Sequence, residues 1–139
     1  MNLAIFLAAL LFSLNVFAHG EDKPGPHGGF IKMPGAFHTE LVQLSPNQLR
    51  VYLLDIHFKN PVVENSSIKL STRFRKLIRA KCKPEKDSFL CDFPKSVSLT
   101  RRGELRVQAT RLGQVGVPVE YKTPLALPSP EAENEHEHH

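Results

Sequence analysis

The sequence predicts an all-β protein, a single immunoglobulin-like β-sandwich of about seven antiparallel strands. Three observations predict it. Short stretches alternate apolar with polar residues at period 2, Gly or Pro punctuates the chain about every eight to twelve residues, and no window sustains a helical period.

Taken in order, residues 30–33 (F-I-K-M) read as a short strand closed by Pro34-Gly35. Residues 37–44 form a second, ended by the turn Ser45-Pro46-Asn47-Gln48. Residues 49–55 (L-R-V-Y-L-L-D) form a third, apolar enough to be central, and Asn60-Pro61 breaks the chain after it. Residues 68–75 alternate as a half-buried strand does. Residues 76–83 and 88–93 flank Pro84-Glu85-Lys86-Asp87, which reads as a hairpin turn opened by proline. Leu99, Leu105, Val107 and Ala109 mark the next strand, with Arg101-Arg102-Gly103 as a turn, and residues 115–121 the last.

The sandwich is thus expected over 30–123, with three other segments around it. Residues 1–18 contain no Asp, Glu, Lys or Arg and end in Val16-Phe17-Ala18, which fits a signal peptide cut after Ala18. A retained anchor is the rival reading, but the apolar core is roughly ten to twelve residues where a spanning helix needs about twenty. No Cys lies near the cut, which argues against a lipoprotein. No other segment is apolar enough to span a bilayer. The expected compartment is therefore the periplasm or the exterior. Residues 19–29 hold two Pro and four Gly in eleven residues and read as an extended, irregular arm. Residues 124–139 contain three Pro and then E-A-E-N-E-H-E-H-H, a composition that buries too little apolar surface to order itself.

The formal net charge of +4 is unevenly spread. Residues 69–111 carry thirteen Lys or Arg against four Asp or Glu, whereas residues 131–139 carry four Glu and no Lys or Arg. A basic middle attracts anions: phosphate, acidic lipid, an acidic partner, or the chain's own tail. Export argues against nucleic acid. A solvated charged face explains the same residues without any partner.

At residues 24–55 specific motifs occur: P-G-P-H-G-G-F (24–30), F-H-T-E-L-V (37–42) and L-R-V-Y-L-L-D (49–55). The run resembles small exported bacterial domains with an H-G-G…H-x-E-L-V pattern, similar to stretches near adaptor subunits of heavy-metal efflux pumps. The resemblance implies a periplasmic accessory role beside metal efflux. This chain departs from it by its Cys pair and His-rich tail.

Several residues could hold an ion. His38 and Glu40 share one face of a strand about 7 Å apart. His27 sits on a Gly-flanked segment free to fold back over them. Imidazole with carboxylate suits copper(II), zinc or nickel and is a poor match for calcium. A cut after Ala18 makes His19 the new N-terminus, whose amine and ring nitrogen form a chelate suited to square-planar copper(II). Copper is therefore favoured over zinc. His57, two residues after Asp55, is a further candidate ligand. His136, His138 and His139 lie among glutamates in a tract that would collect metal loosely. Each has a plainer reading: an exposed His–Glu pair, a Gly-Gly turn, a solubilising tail.

Cys82 and Cys91 flank the P-E-K-D turn; if Lys83 faces Leu90, Cys82 faces Cys91 within disulfide reach. So short a loop would add about 2–3 kcal/mol. The alternative, a thiolate pair for copper(I), needs a reducing compartment. No nucleophile lies in a recognisable elbow, and 25–29 lacks the Lys of a phosphate loop. The expectation is a non-enzymatic protein that binds a metal ion and serves a metal-efflux or envelope protein. Its alternative is an interaction module whose basic face, with Arg73, Arg75, Arg79, Arg101 and Arg106, docks an acidic partner.

Overall fold

The computed structural model describes residues 23–125. Ten strands run in chain order: β1 (Phe30–Lys32), β2 (His38–Ser45), β3 (Gln48–Leu54), β4 (Ser67–Arg73), β5 (Leu77–Arg79), β6 (Lys81–Glu85), β7 (Ser88–Asp92), β8 (Gly103–Arg111), β9 (Gln114–Val115) and β10 (Val119–Thr123). They form two antiparallel sheets, sheet A in the order β1-β2-β3-β7-β6 and sheet B in the order β10-β8-β4-β5, with β9 paired to β8. The fold is the all-β sandwich that the alternation called for. Its strand count exceeds seven because β1, β5 and β9 are pieces of two or three residues. Among the described residues no helix is long and apolar enough to cross a membrane.

The core lies between the sheets and is filled by alternate residues. Leu41, Leu49, Val51, Leu53, Phe89 and Cys91 come from sheet A, and Ile68, Leu70, Leu105, Val107, Val119 and Tyr121 from sheet B. Burying one such side chain contributes about 1.5–3 kcal/mol. Side chains on one face of a strand recur at every second residue, so the intervening residues point outward from each sheet. The open side between β1 and β10 is closed by Lys32, whose Nζ donates to the Glu120 carbonyl and sits 4.9 Å from the centre of the Tyr121 ring. Burial holds that ammonium below its ordinary pKa, against the opposing pull of Glu120. The Tyr121 hydroxyl lies 3.0 Å from Thr39 Oγ1, joining the two sheets, and burial drives its pKa far above the phenol range.

Three local expectations are corrected. Residues 76–83 are not one strand: β5 pairs with β4 in sheet B, the chain crosses over at Ala80, and β6 pairs with β7 in sheet A. The amide of Ala80 stays bonded to the Leu70 carbonyl at 3.0 Å, so the crossing leaves that donor satisfied. The hairpin turn is two residues, Lys86-Asp87, and not four, because Glu85 already pairs with Ser88. Lys86 takes a φ of 57°, and Pro84 lies inside β6, where an outer edge strand tolerates its missing N–H. Residues 115–121 are likewise split between β9 and β10.

The Cys pair follows the expected register. Lys83 faces Leu90, Cys82 faces Cys91, and the two cysteines form a disulfide across β6 and β7.

Candidate functional site

The outer face of sheet A breaks the alternation. His38, Thr39, Glu40 and Leu41 are all buried, so β2 is covered on both sides at this point. Across the strands, Glu40 pairs with Ile31 and Tyr52, and His38 pairs with Leu54. Ile31 and Leu54 are buried yet lie outside the main core cluster. They belong with His38 and Glu40 to a second, smaller layer on the outer side of sheet A.

Glu40 organises this layer. Its side chain is 0% exposed, and a buried carboxylate is costly unless paired and hydrogen-bonded. The segment 24–29 supplies the partners. The His27 amide donates to Oε2 at 2.9 Å, the Gly29 amide donates to the same oxygen at 3.2 Å, and His27 Nδ1 lies 2.6 Å from Oε1. Facing a carboxylate oxygen, Nδ1 carries the proton and Nε2 is the ring's other nitrogen. The segment closes on itself, Gly25 N–H donating to the Gly29 carbonyl at 2.8 Å and Gly28 N–H to the Gly25 carbonyl at 2.9 Å.

Glycine is needed here for close approach. A Cβ on Gly25 would fall on the Glu40 carboxylate, and one on Gly29 would sit 2.5 Å from the Leu41 carbonyl oxygen. Gly28 has open space but a φ of 76°, which favours glycine. The His27 ring then stacks on Tyr52, 3.6 Å between centroids and 3° between planes.

His38 is held by the turn that follows β3. Its Nδ1 donates to the Asp55 carbonyl at 3.0 Å, and its ring stacks on Phe58 with centroids 4.1 Å apart. The Asp55 carboxylate builds that turn: Oδ1 accepts the amides of His57 (2.8 Å) and Lys59 (2.9 Å), and Oδ2 accepts Asn60 Nδ2 (2.8 Å). These bonds, the Lys59 amide foremost, hold the carboxyl below its ordinary pKa. Phe58 and Asn60 both adopt positive φ, which turns the chain so that Phe58 covers His38.

The sequence-derived candidates are therefore distributed as follows. His38 and Glu40 share one face, and the glycine-hinged segment brings His27 onto Glu40. Both Glu40 oxygens are engaged by these bonds. His57 is exposed and follows the end of β3 at Leu54, so the strand rule that pairs it with Asp55 does not apply. Among the described residues no group of three or more His, Cys, Asp or Glu is placed to hold a metal ion. His19, His136, His138 and His139 lie outside the described residues. Neither His27 nor His38 makes a hydrogen bond through Nε2 among the described residues. Cys82 and Cys91, being disulfide-bonded, leave no free thiol for copper(I).

Two contributors escaped the sequence reading. Tyr52 lies at an outward position of β3, where only the register reveals that it is Glu40's neighbour. The turn D-I-H-F-K-N does carry a signal, an Asp followed by residues whose amides it can accept.

The outer face of sheet B is a different surface. It forms a groove of about 630 Å³ lined by Lys69, Arg73, Arg79 and Arg106 with Glu104 and Glu120. Arg75 and Arg101, grouped with them on sequence grounds, are exposed in bends outside it. Among the described residues none of the four groove cations lies within ion-pair distance of a carboxylate.

Compared with family models, with curated proteins and with solved structures, the chain matches none.

Proposed function

We propose that the protein is an exported, non-catalytic accessory that binds a divalent transition metal, copper(II) before zinc, on the outer side of sheet A. The observation that carries this reading is the 2.6 Å contact between His27 Nδ1 and the fully buried Glu40. Metal-ligating imidazoles commonly donate their second nitrogen to a carboxylate or a backbone carbonyl, which orients the ring and raises its basicity. His27 has the first kind of partner and His38 the second, through the Asp55 carbonyl. Each ring keeps Nε2 for an ion.

In this reading Glu40 is the residue behind the ligand and not the ligand itself, because its oxygens are already engaged. Two imidazoles leave coordination positions to fill. His19 precedes His27 by eight residues, a reach of up to about 26 Å at roughly 3.3 Å per residue. Freed by cleavage after Ala18, its amine and ring would complete a nitrogen-rich set suited to copper(II). His57, on the turn that covers His38, and the tail residues His136, His138 and His139 would collect ions. The role beside a metal-efflux protein is what the resemblance at residues 24–55 implies.

Calorimetric titration of copper(II) and zinc into residues 19–139 tests the proposal. His27→Ala and His38→Ala are each expected to weaken copper(II) binding at least tenfold. Glu40→Gln, which disturbs the partner behind the ring, should cost about 10–100-fold. Equal, weak binding by the unaltered chain and the His27→Ala/His38→Ala double variant would end the reading.

A further inference from the structure

We infer that the glutamate-rich segment 131–137 of this chain docks in the basic groove on the outer face of sheet B. The inference stands apart from the metal reading and rests on the register of sheet B and the pattern of the tail.

Sheet B sets its outward residues in rows that cross all four strands. One row runs Glu120, Arg106, Ser71, Arg79, and the next runs Lys122, Glu104, Arg73, Leu77. Lys69 extends the cationic surface one step further along β4. Rows of alternate residues are spaced about 6.6–7 Å along a strand. The tail carries Glu131, Glu133, Glu135 and Glu137 at every second position and has no Lys or Arg from 126 to 139. An extended segment with that pattern presents all four carboxylates on one side, at the spacing of the rows.

The point of departure favours the chain's own tail over other acidic partners. β10 is the edge strand of the same sheet, its Glu120 lines the groove, and Leu125 just beyond it still packs against the core. Crossing from β10 to β5 takes three strand spacings, about 14 Å. Glu131 is six residues past Leu125, a reach of up to about 20 Å. A tethered segment meets its site at an effective concentration near millimolar, which a free partner must exceed. With its glutamates on the sheet, the same segment would turn His136 and His138 to solvent.

Amide and arginine side-chain NMR spectra of residues 19–139, recorded without metal, provide the test. The comparison chain carries Glu131→Gln, Glu133→Gln, Glu135→Gln and Glu137→Gln, changes that leave the sandwich untouched. Shift differences are expected at Lys69, Arg73, Arg79 and Arg106. They should be independent of protein concentration and collapse in about 1 M salt, where charges are screened beyond about 3 Å. An Arg73→Gln/Arg79→Gln/Arg106→Gln chain should give tail signals in the positions they take at high salt. Absence of differences in the groove, or differences centred on another surface, overturns the inference. Differences that grow with protein concentration assign the groove to a second copy and overturn it equally.

Discussion

On the outer side of sheet A, Ile31, His38, Glu40 and Leu54 are buried, whereas on the outer side of sheet B Lys69, Arg73, Arg79, Glu104, Arg106, Glu120 and Lys122 are exposed. Both faces are made in the same way, from the alternate residues of antiparallel strands, and such a sheet can leave one side to water. Composition decides which side is left. Sheet B presents mostly charged side chains, which need no cover. Sheet A presents two large aliphatic side chains around a carboxylate, and two irregular segments, 24–29 and 55–60, come back over them. The carboxylate makes the cover specific, since it accepts two backbone N–H groups and a ring N–H from one of these segments. A buried acid here does the work that an apolar staple does elsewhere, and it also orients an imidazole.

That contrast can be broken at its centre. Glu40→Ala takes away the acceptor of the His27 and Gly29 backbone N–H groups, and each donor left unpaired costs about 1–3 kcal/mol. Chemical unfolding should show a loss of that order, and limited proteolysis should cut within 23–29 before the sandwich opens. A loss under about 1 kcal/mol would mean that the cover does not depend on the acid.

A smaller effect is expected from the backbone of the cover. In Gly29→Ala the new methyl meets the Leu41 carbonyl oxygen, and overpacking of this kind costs about 1–3 kcal/mol. The stacking of His27 on Tyr52 should be disturbed with it, read as a change in tyrosine fluorescence. An unchanged unfolding midpoint would show that the segment has room the geometry denies.

The smallest effect belongs to sheet B. Arg106→Ala removes a solvated charge with no ion-pair partner among the described residues, and stability should change by no more than about 0.5 kcal/mol. A larger loss would mean that the two faces are not as different as their burial implies.

Much of the frame was legible beforehand. The placement of His38 and Glu40 on one face and the facing of Cys82 with Cys91 follow from period-2 geometry, which a local sequence carries in full; the turn after β2 is marked by Pro46-Asn47, although Ser45 and Gln48 already pair across it. The crossing at Ala80 was not legible, because residues 76–83 offer a continuous strand-like pattern whichever sheet each half joins. The short turn at Lys86-Asp87 was hidden by Pro84, a residue that reads as a turn former and here sits in an edge strand. Glu40 looked like a ligand open to an ion because alternation tells which residues share a face and is silent on whether that face is covered.

By itself, then, the sequence determined the all-β architecture, the face each strand residue takes and the partner of each cysteine. These depend on neighbours one or two residues away, or on a single turn. Only the tertiary structure decided that the Gly-hinged segment wraps a buried acid, that Phe58 and the Asp55 carbonyl hold His38, and that the arginines of three strands line one groove. Those outcomes depend on which distant segments compete to cover each sheet, and the competition is settled by desolvation and hydrogen-bond pairing across the whole molecule.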